Sequence, residues 1–324
     1  MCCLFGILDY AGRLTSRDRY RVTRSLAIAA EIRGTDATGI ATLVGDRLLI
    51  QKAPKAARRF RFNIREHDRI IMGHTRMTTQ GDEKRNRNNH PFLGSARDTQ
   101  FALAHNGIIY NDKALRRANR LPDTTIETDS YIAVQLLEHL CAVTADNLAS
   151  VAEVLDGSFT LTVLSRHGLD IVRGNNPLCL YRFPQLGFYA YASTEEILTH
   201  GLSMCGLDRA KHEDVPLRQG DILRLTPDGN ASKTRFDDSS LSFYDLTWRC
   251  AVPSVDFDDD YLEMLTDYAL SLGIPESELE MLLESGFGAD EIEEMLFDDA
   301  YRRECLDGLR GVTCVPYGYT QTER

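Results

Sequence analysis

Cys2 directly follows the initiator methionine, and a small residue there is expected to allow removal of Met1, leaving cysteine first in the chain. A terminal cysteine brings its own base. Its free α-amine, with a pKa of about 7.7–8.0, accepts the thiol proton directly or through a water, and the thiolate is the competent nucleophile. Cys3 comes next, but alternation along a strand sends it to the opposite face, so one of the pair can face a site and Cys2 alone owns the amine. Read by itself, the pair is a small apolar start to a buried strand. Four other segments carry complementary groups. In Gly73-His74-Thr75-Arg76-Met77-Thr78-Thr79-Gln80-Gly81 a permanently charged guanidinium stands at a strand end beside small hydroxyls. Arg76 there suits a bidentate grip on a carboxylate, or an ordinary surface salt bridge. His105-Asn106-Gly107-Ile108-Ile109 sets an amide side chain beside an unhindered backbone N–H: two donors for an oxyanion hole, or an Asn-Gly turn. Glu127-Thr128-Asp129-Ser130 opens a helix, where Asp129 suits a substrate ammonium and either Thr128 or Asp129 suits a plain N-cap. Arg33-Gly34-Thr35-Asp36-Ala37-Thr38-Gly39 either walls a pocket through Arg33 and Asp36 or makes a helix-to-strand turn.

The elements that must position these groups are short. Cys2–Leu8, Ile40–Val44, Leu48–Lys52, Ile70–His74, Phe101–His105, Thr160–Leu164, Ile171–Arg173, Cys179–Arg182, Phe188–Tyr191 and Ile222–Leu225 are brief apolar or β-branched runs bounded by Gly, Asp, Asn or Pro, which predicts strands. Apolar residues three and four apart predict helices over Arg17–Ile32, Ser130–Val143, Asn147–Leu155 and Thr194–His200. Strands in tight succession, without strict strand–helix alternation, predict antiparallel sheets with helices packed outside, an α+β fold.

Acidity is concentrated in the last part of the chain. Of the net charge of −11 over 324 residues, residues 237–324 hold 22 Asp/Glu against 5 Arg (−17), leaving 26 acids against 32 bases before them (+6). The compositional boundary at Phe236-Asp237 predicts a main domain over 1–236 and an acidic, mostly helical extension over 237–324. Asp258–Leu272, Pro275–Glu284, Ala289–Asp298 and Asp299–Leu309 are expected to be helical, with Leu279, Leu282, Leu283, Phe287, Ile292 and Leu296 forming an apolar seam. That extension reads as a small cap or as a docking module for another protein. Its charge disfavours nucleic acid. No apolar run approaches the roughly 20 residues that span a bilayer, and the start lacks the features of a secretory signal. Eight cysteines without regular spacing are expected to be reduced thiols in the cytoplasm. With no Cys-x-x-Cys pair, no structural zinc is expected, nor any other metal or cofactor.

In order and spacing, these segments resemble the class II (N-terminal nucleophile) glutamine amidotransferases, in the pattern of the glutaminase domains of glucosamine-6-phosphate synthase and amidophosphoribosyltransferase-like enzymes. The likeness runs from Cys2-Cys3-Leu-Phe-Gly through Arg33–Gly39, His74–Gly81, Asn89-His-Pro-Phe92, His105–Asn111 and Glu127–Ser130, with fainter echoes in Gly157-Ser-Phe, Arg173–Leu178, Ala192–Glu196 and Gly220-Asp-Ile222. It implies a four-layer αββα sandwich. It also implies Cys2 as nucleophile, Asn106 and Gly107 as oxyanion donors, Arg76 with Thr79 at the α-carboxylate of L-glutamine, and Asp129 at its α-ammonium. The family's usual Cys-Gly start is Cys2-Cys3 here, a change that would narrow the pocket floor if Cys3 faced it. Met77 and Gln80 replace an aromatic residue and a histidine common in the hexosamine-synthesising members.

A second active site for the ammonia acceptor is not legible. The 88 residues after 236 are too few for a sugar-phosphate isomerase half, and neither a pyrophosphate loop nor a phosphate- or dinucleotide-binding glycine motif occurs. The acidic run Asp256–Asp260 reads as a solvated helix start. The expectation is therefore a glutaminase whose ammonia goes to an acceptor on a separate protein, with 237–324 as the candidate contact. Two competitors stand beside it: another N-terminal-cysteine amidohydrolase, or a non-catalytic glutamine-binding scaffold protein.

Overall fold

In the run Cys3–Leu8 (β1) side chains alternate between two apolar layers, not between core and water, and all six residues are buried. Cys3, Phe5 and Ile7 pack toward helices, whereas Leu4 and Leu8 pack toward a second sheet. A strand buried on both faces reads as a continuous apolar run, which is why it is conspicuous in the sequence. The computed structural model describes residues 2–97 and 99–241, and in the remainder 266, 269, 270, 272–285, 292, 295, 296, 302, 303, 305 and 306.

β1 lies inside a seven-stranded sheet ordered β11 (Glu213–Asp214), β9 (Cys179–Phe183), β10 (Phe188–Ala192), β1, β4 (Ile70–Arg76), β2 (Ala37–Val44) and β3 (Arg47–Ala53). The other sheet has six strands, ordered β13 (Ala231–Arg235), β12 (Asp221–Leu225), β8 (Gly168–Arg173), β7 (Gly157–Ser165), β6 (Thr99–Ile109) and β5 (Phe92–Ala96). The pairings are antiparallel. Helices α1 (Ser16–Ala29) and α5 (Glu195–Met204) pack on the outer face of the first sheet, and α3 (Tyr131–His139) and α4 (Ala145–Val154) on that of the second. The two sheets meet face to face through Leu4, Leu8, Met72, Ala102, Ala104, Leu164, Ile171 and Leu223. This is the expected αββα sandwich.

Each predicted strand and helix of the first 236 residues has a counterpart. Four strands or α-helices lie outside the sequence expectation: β5, β11, which is only two exposed acidic residues, β13 and the short helix α2 (Asp112–Ala118). β5 carries Gly94 and Ser95 between its apolar residues, β13 is exposed throughout, and α2 buries a carboxylate, Asp112, instead of an apolar stripe. None therefore shows the periodicity that marks an element.

The chain divides into two compact units, Met1–Trp248 and Arg249–Arg324, so the compositional boundary after Phe236 falls inside the first unit. Leu241 is part of the apolar layer under α3 and α4. In the second unit, α6 (Glu276–Glu284) matches the predicted helix, and Leu279, Leu282, Ile292 and Leu296 share a small core with Ala269, Ile274, Met295 and Leu306. Phe287, the acidic run 256–260 and most of the other predicted helical segments lie outside the described residues. Among the described residues no helix is long and apolar enough to cross a membrane, and the six described cysteines are free.

Candidate active site

Strand register brings the first candidates together. Cys3 is the partner of Thr75 across β1 and β4, so Cys2, one residue earlier, comes opposite Arg76 at the end of β4. Cys3 faces the helix layer and is fully buried, on the side of β1 away from the layer that Leu4 and Leu8 enter, as alternation along the strand predicts. Beyond Arg76 the chain leaves the sheet as the loop Met77–Gly81. That exit is bracketed by the Arg33–Gly39 segment: Asp36 N–H donates to Arg76 O at 3.0 Å, and Asp36 Oδ2 accepts from Thr78 N at 2.7 Å. Gly34 packs so closely that a Cβ there would stand 2.5 Å from the Arg76 carbonyl carbon.

A small enclosed cavity is lined by Cys2, Arg76, Thr79, Gln80, Gly107 and Asp129, with His90, His105 and Ser130 behind them. Its volume is about 10 Å³, room for about one water. The Cys2 thiol donates to Met77 O at 3.4 Å. Burial pushes this thiol up from its ordinary value, while the amino-terminal charge and Arg76 pull it back.

Arg76 is 3% exposed and its hydrogen-bond partners are neutral: Nη1 donates to Asn89 Oδ1 at 2.7 Å, and Nη2 to Gln80 O at 2.5 Å and Gly81 O at 3.2 Å. Asp129 is 6% exposed; its Oδ2 accepts from Ile109 N at 2.7 Å. Ser130 Oγ lies 2.8 Å from His105 Nδ1 and 3.3 Å from Asp129 Oδ1. His105 Nε2 faces Ser158 O at 3.3 Å and must carry the ring proton of a neutral imidazole, so the one Ser130 proton serves Nδ1 and leaves Asp129 Oδ1 available. Neither Arg76 nor Asp129 forms a salt bridge among the described residues. Two buried charges of opposite sign thus line one cavity without neutralising each other, an arrangement that costs several kcal/mol per ion unless a ligand supplies the counter-charges (roughly, from desolvation).

Asn106 and Gly107 are not a turn. Both lie within β6, opposite Thr160 and Phe159 of β7. Gly107 has φ +137°, and a Cβ there would sit 1.9 Å from Ser158 O, so the position accepts glycine only. Asn106 is fully buried, and its Nδ2 and Oδ1 have no hydrogen-bond partner among the described residues. Its backbone carbonyl is held by Asn176 Nδ2 at 2.9 Å. Asn106 does not line the cavity, and neither does Arg33. Arg33 ends the 3-10 turn Ala30–Arg33, half-buried, where its charge acts on Cys3 and Glu196.

Three functional contacts were not singled out from sequence. Gln80 joins the two charged groups, its backbone oxygen accepting from Arg76 and its Oε1 from Asp129 N at 2.9 Å. Asn89 holds Arg76, and Asn176 holds the Asn106 backbone. Asn89 and Asn176 stand in Asn89-His-Pro-Phe92 and Arg173-Gly-Asn-Asn-Pro-Leu178, where polar residues in short loops between buried strands were the available signal. Behind the cavity, His74, His90 and His105 are all buried. His74 Nε2 donates to His105 O at 3.0 Å and the His74 and His90 rings are 4.2 Å apart. Burial lowers all three, His74 to about 3, and keeps them neutral.

A four-layer αββα sandwich with a cysteine at the head of a central strand and a charged cavity beside it defines an N-terminal-nucleophile type of hydrolase fold. Residues 74–200 match the family model described as a glutamine amidotransferase domain, and the chain carries such a domain, of class II. Among curated relatives it is 32% identical over 260 residues to glutamine–fructose-6-phosphate aminotransferase (isomerizing) of Streptomyces coelicolor, covering 75% of this chain and 39% of that protein. To amidophosphoribosyltransferase of Methanocaldococcus jannaschii it is 29% identical over 196 residues, 56% of this chain and 40% of that protein. The chain therefore spans about two fifths of the length of these relatives. The solved glutamine phosphoribosylpyrophosphate amidotransferase of B. subtilis, in complex with ADP and GMP, superposes with a TM-score of 0.58 at 20% identity over 73% of this chain and 49% of that one, a likeness of fold.

Proposed function

We propose that the chain hydrolyses the side-chain amide of L-glutamine through a thioester on Cys2, releasing glutamate and ammonia. The observation that carries this reading is the cavity lined together by a thiol, a buried guanidinium and a buried carboxylate, the last two not paired with each other. A free α-amino acid presents the matching opposite charges on one carbon. Arg76, with Thr79, takes the α-carboxylate and Asp129 Oδ1 the α-ammonium, which selects glutamine over an amide embedded in a peptide. With Met1 removed, the Cys2 α-amine accepts the thiol proton and the sulfur attacks the amide carbon. Gly107 N–H, in the cavity lining, and Asn106 Nδ2, buried one residue before it outside the closed cavity and without a partner among the described residues, are the donors assigned to the oxyanion once the cavity opens to admit glutamine. The tetrahedral intermediate expels ammonia, protonated by the α-amine, and water then cleaves the thioester to glutamate and free thiol. Because the cavity holds about one water, glutamine enters only when the Met77–Gly81 loop moves outward. The ammonia passes to an acceptor on a separate protein, for which residues 237–324 are the proposed contact, and the setting is cytoplasmic.

The test joins intact mass with a glutamate-release assay. Wild-type protein lacking Met1 is expected to release glutamate from glutamine and not to cleave N-acyl amines, and Cys2→Ala to release none while still binding glutamine by calorimetry. Retained Met1 in an active preparation, or undiminished turnover by Cys2→Ala, would remove Cys2 from the mechanism.

A further inference from the structure

A second, larger concavity of about 590 Å³ opens along the edge strand β3, where it meets the segment Lys55–Arg61. Lys52, Lys55, Arg59 and Arg61 line it, and no carboxylate does. Elsewhere in the first unit some arginines are paired, Arg58 with Glu31, Arg85 with Glu127, Arg182 with Glu213 and Arg235 with Asp221, and others, such as Arg17, Arg47 and Arg69, form no ion pair among the described residues; what sets this group apart is that several cations share one concavity with no carboxylate in its lining. Among the described residues the side chains of Lys55, Arg59 and Arg61 have neither an ion pair nor a hydrogen-bond partner. Lys52 is half-buried at the back, its Nζ donating to Asn89 O at 2.5 Å and Pro91 O at 3.1 Å, and burial brings its pKa down to about 8. Ile50, Phe60 and the half-exposed Leu93 add an apolar strip.

We infer that this groove binds a phosphorylated small molecule, its phosphate among Lys55, Arg59 and Arg61 and its organic body along Ile50, Phe60 and Leu93. The volume falls in the range of small-molecule sites, on the order of 300–1,000 Å³. Guanidinium forks match phosphate oxygens two at a time, and a dianion answers several unpaired cations better than one carboxylate does. The site reports to the cavity described above. Asn86 Nδ2 donates to Lys52 O at 2.8 Å, Lys52 Nζ holds Asn89 O, and Asn89 Oδ1 holds Arg76, so a ligand that draws on Lys52 shifts the guanidinium proposed to bind glutamine. This coupling, unlike the binding itself, rests on the proposed function.

Calorimetry on the full chain with inorganic phosphate, phenyl phosphate and a ten-residue glutamate peptide tests the binding. Phenyl phosphate is expected to bind at least 10-fold more tightly than phosphate, and the exposed double substitution Arg59→Ala/Arg61→Ala to weaken it at least 10-fold with unchanged circular dichroism; Lys55→Ala gives an independent loss. Absence of saturable binding, equal binding by the double variant, or tighter binding of the glutamate peptide, which would mark an acidic protein contact instead, overturns the site. In the coupling arm, saturating phenyl phosphate is expected to change the glutamine KM at least 3-fold in wild type and not in the double variant. An unchanged KM beside intact phenyl phosphate binding overturns the coupling, and a chain without glutaminase activity overturns the proposed function while leaving the calorimetric result standing.

Discussion

At the scale of single residues, the site is organised by charges that are kept apart. Arg76 is satisfied by carbonyl and amide oxygens, and Asp129 by a backbone N–H, so each keeps its formal charge for something else. Lys in place of Arg76 would retain the charge and lose the planar fork that reaches Asn89, Gln80 and Gly81 together. Arg76→Lys is expected to raise the glutamine KM at least 10-fold, the loss of about 1.5–3 kcal/mol of charge-assisted hydrogen bonding, with kcat less affected. Steady-state kinetics checks this, and an unchanged KM would mean that the carboxylate is held elsewhere.

At the scale of elements, two devices hold the site in shape. The first is the strand β6, whose Gly107 lets Ser158 O approach where a Cβ would otherwise stand. Gly107→Ala combines a forbidden φ with a backbone overlap, and is expected to destabilise the domain by at least about 2 kcal/mol. Urea unfolding measures the loss, and a midpoint within error of wild type would mean that β6 and β7 separate there without cost. The second is the loop Met77–Gly81, which Gln80 ties to Arg76 by its backbone and to Asp129 by its side chain. Gln80→Ala keeps the backbone contact and removes the amide. It is expected to raise KM about 3- to 10-fold, the worth of one hydrogen bond near 1 kcal/mol, while kcat changes less than 2-fold. A fall in kcat without a change in KM would instead put Gln80 at the reacting amide.

At the scale of the whole molecule, three neutral imidazoles are buried behind the cavity, and this predicts acid sensitivity. Burial holds His74, His90 and His105 below the ordinary imidazole value, so below about pH 6.5 the unfolded chain binds protons that the native state refuses. Stability is expected to be steady above that pH and to fall as pH drops through 6.5 toward 3, by up to about 1.4 kcal/mol per pH unit for each histidine that stays neutral. Denaturant midpoints at pH 7.5, 6.0 and 5.0 check it. A flat profile would show that these rings take up protons in the folded state. His74→Gln, which keeps a donor toward His105 O, is expected to lessen the slope.

Residue order alone determined much of this protein. The buried strands announce themselves because both faces are apolar, and Cys2, Arg76, the Asn-Gly pair and Asp129 stand in ordered segments that resemble one family. Their convergence was decided by tertiary structure: antiparallel register sets Cys2 opposite Arg76, and the packing of two sheets brings Gly107 and Asp129 to the same cavity. The exclusion of Arg33 and Asn106 from the lining, the link through Gln80 and the unpaired cations along β3 were likewise not legible. Each depends on distances between segments far apart in the chain, and a one-dimensional pattern encodes which residues are apolar or charged, not which of them meet.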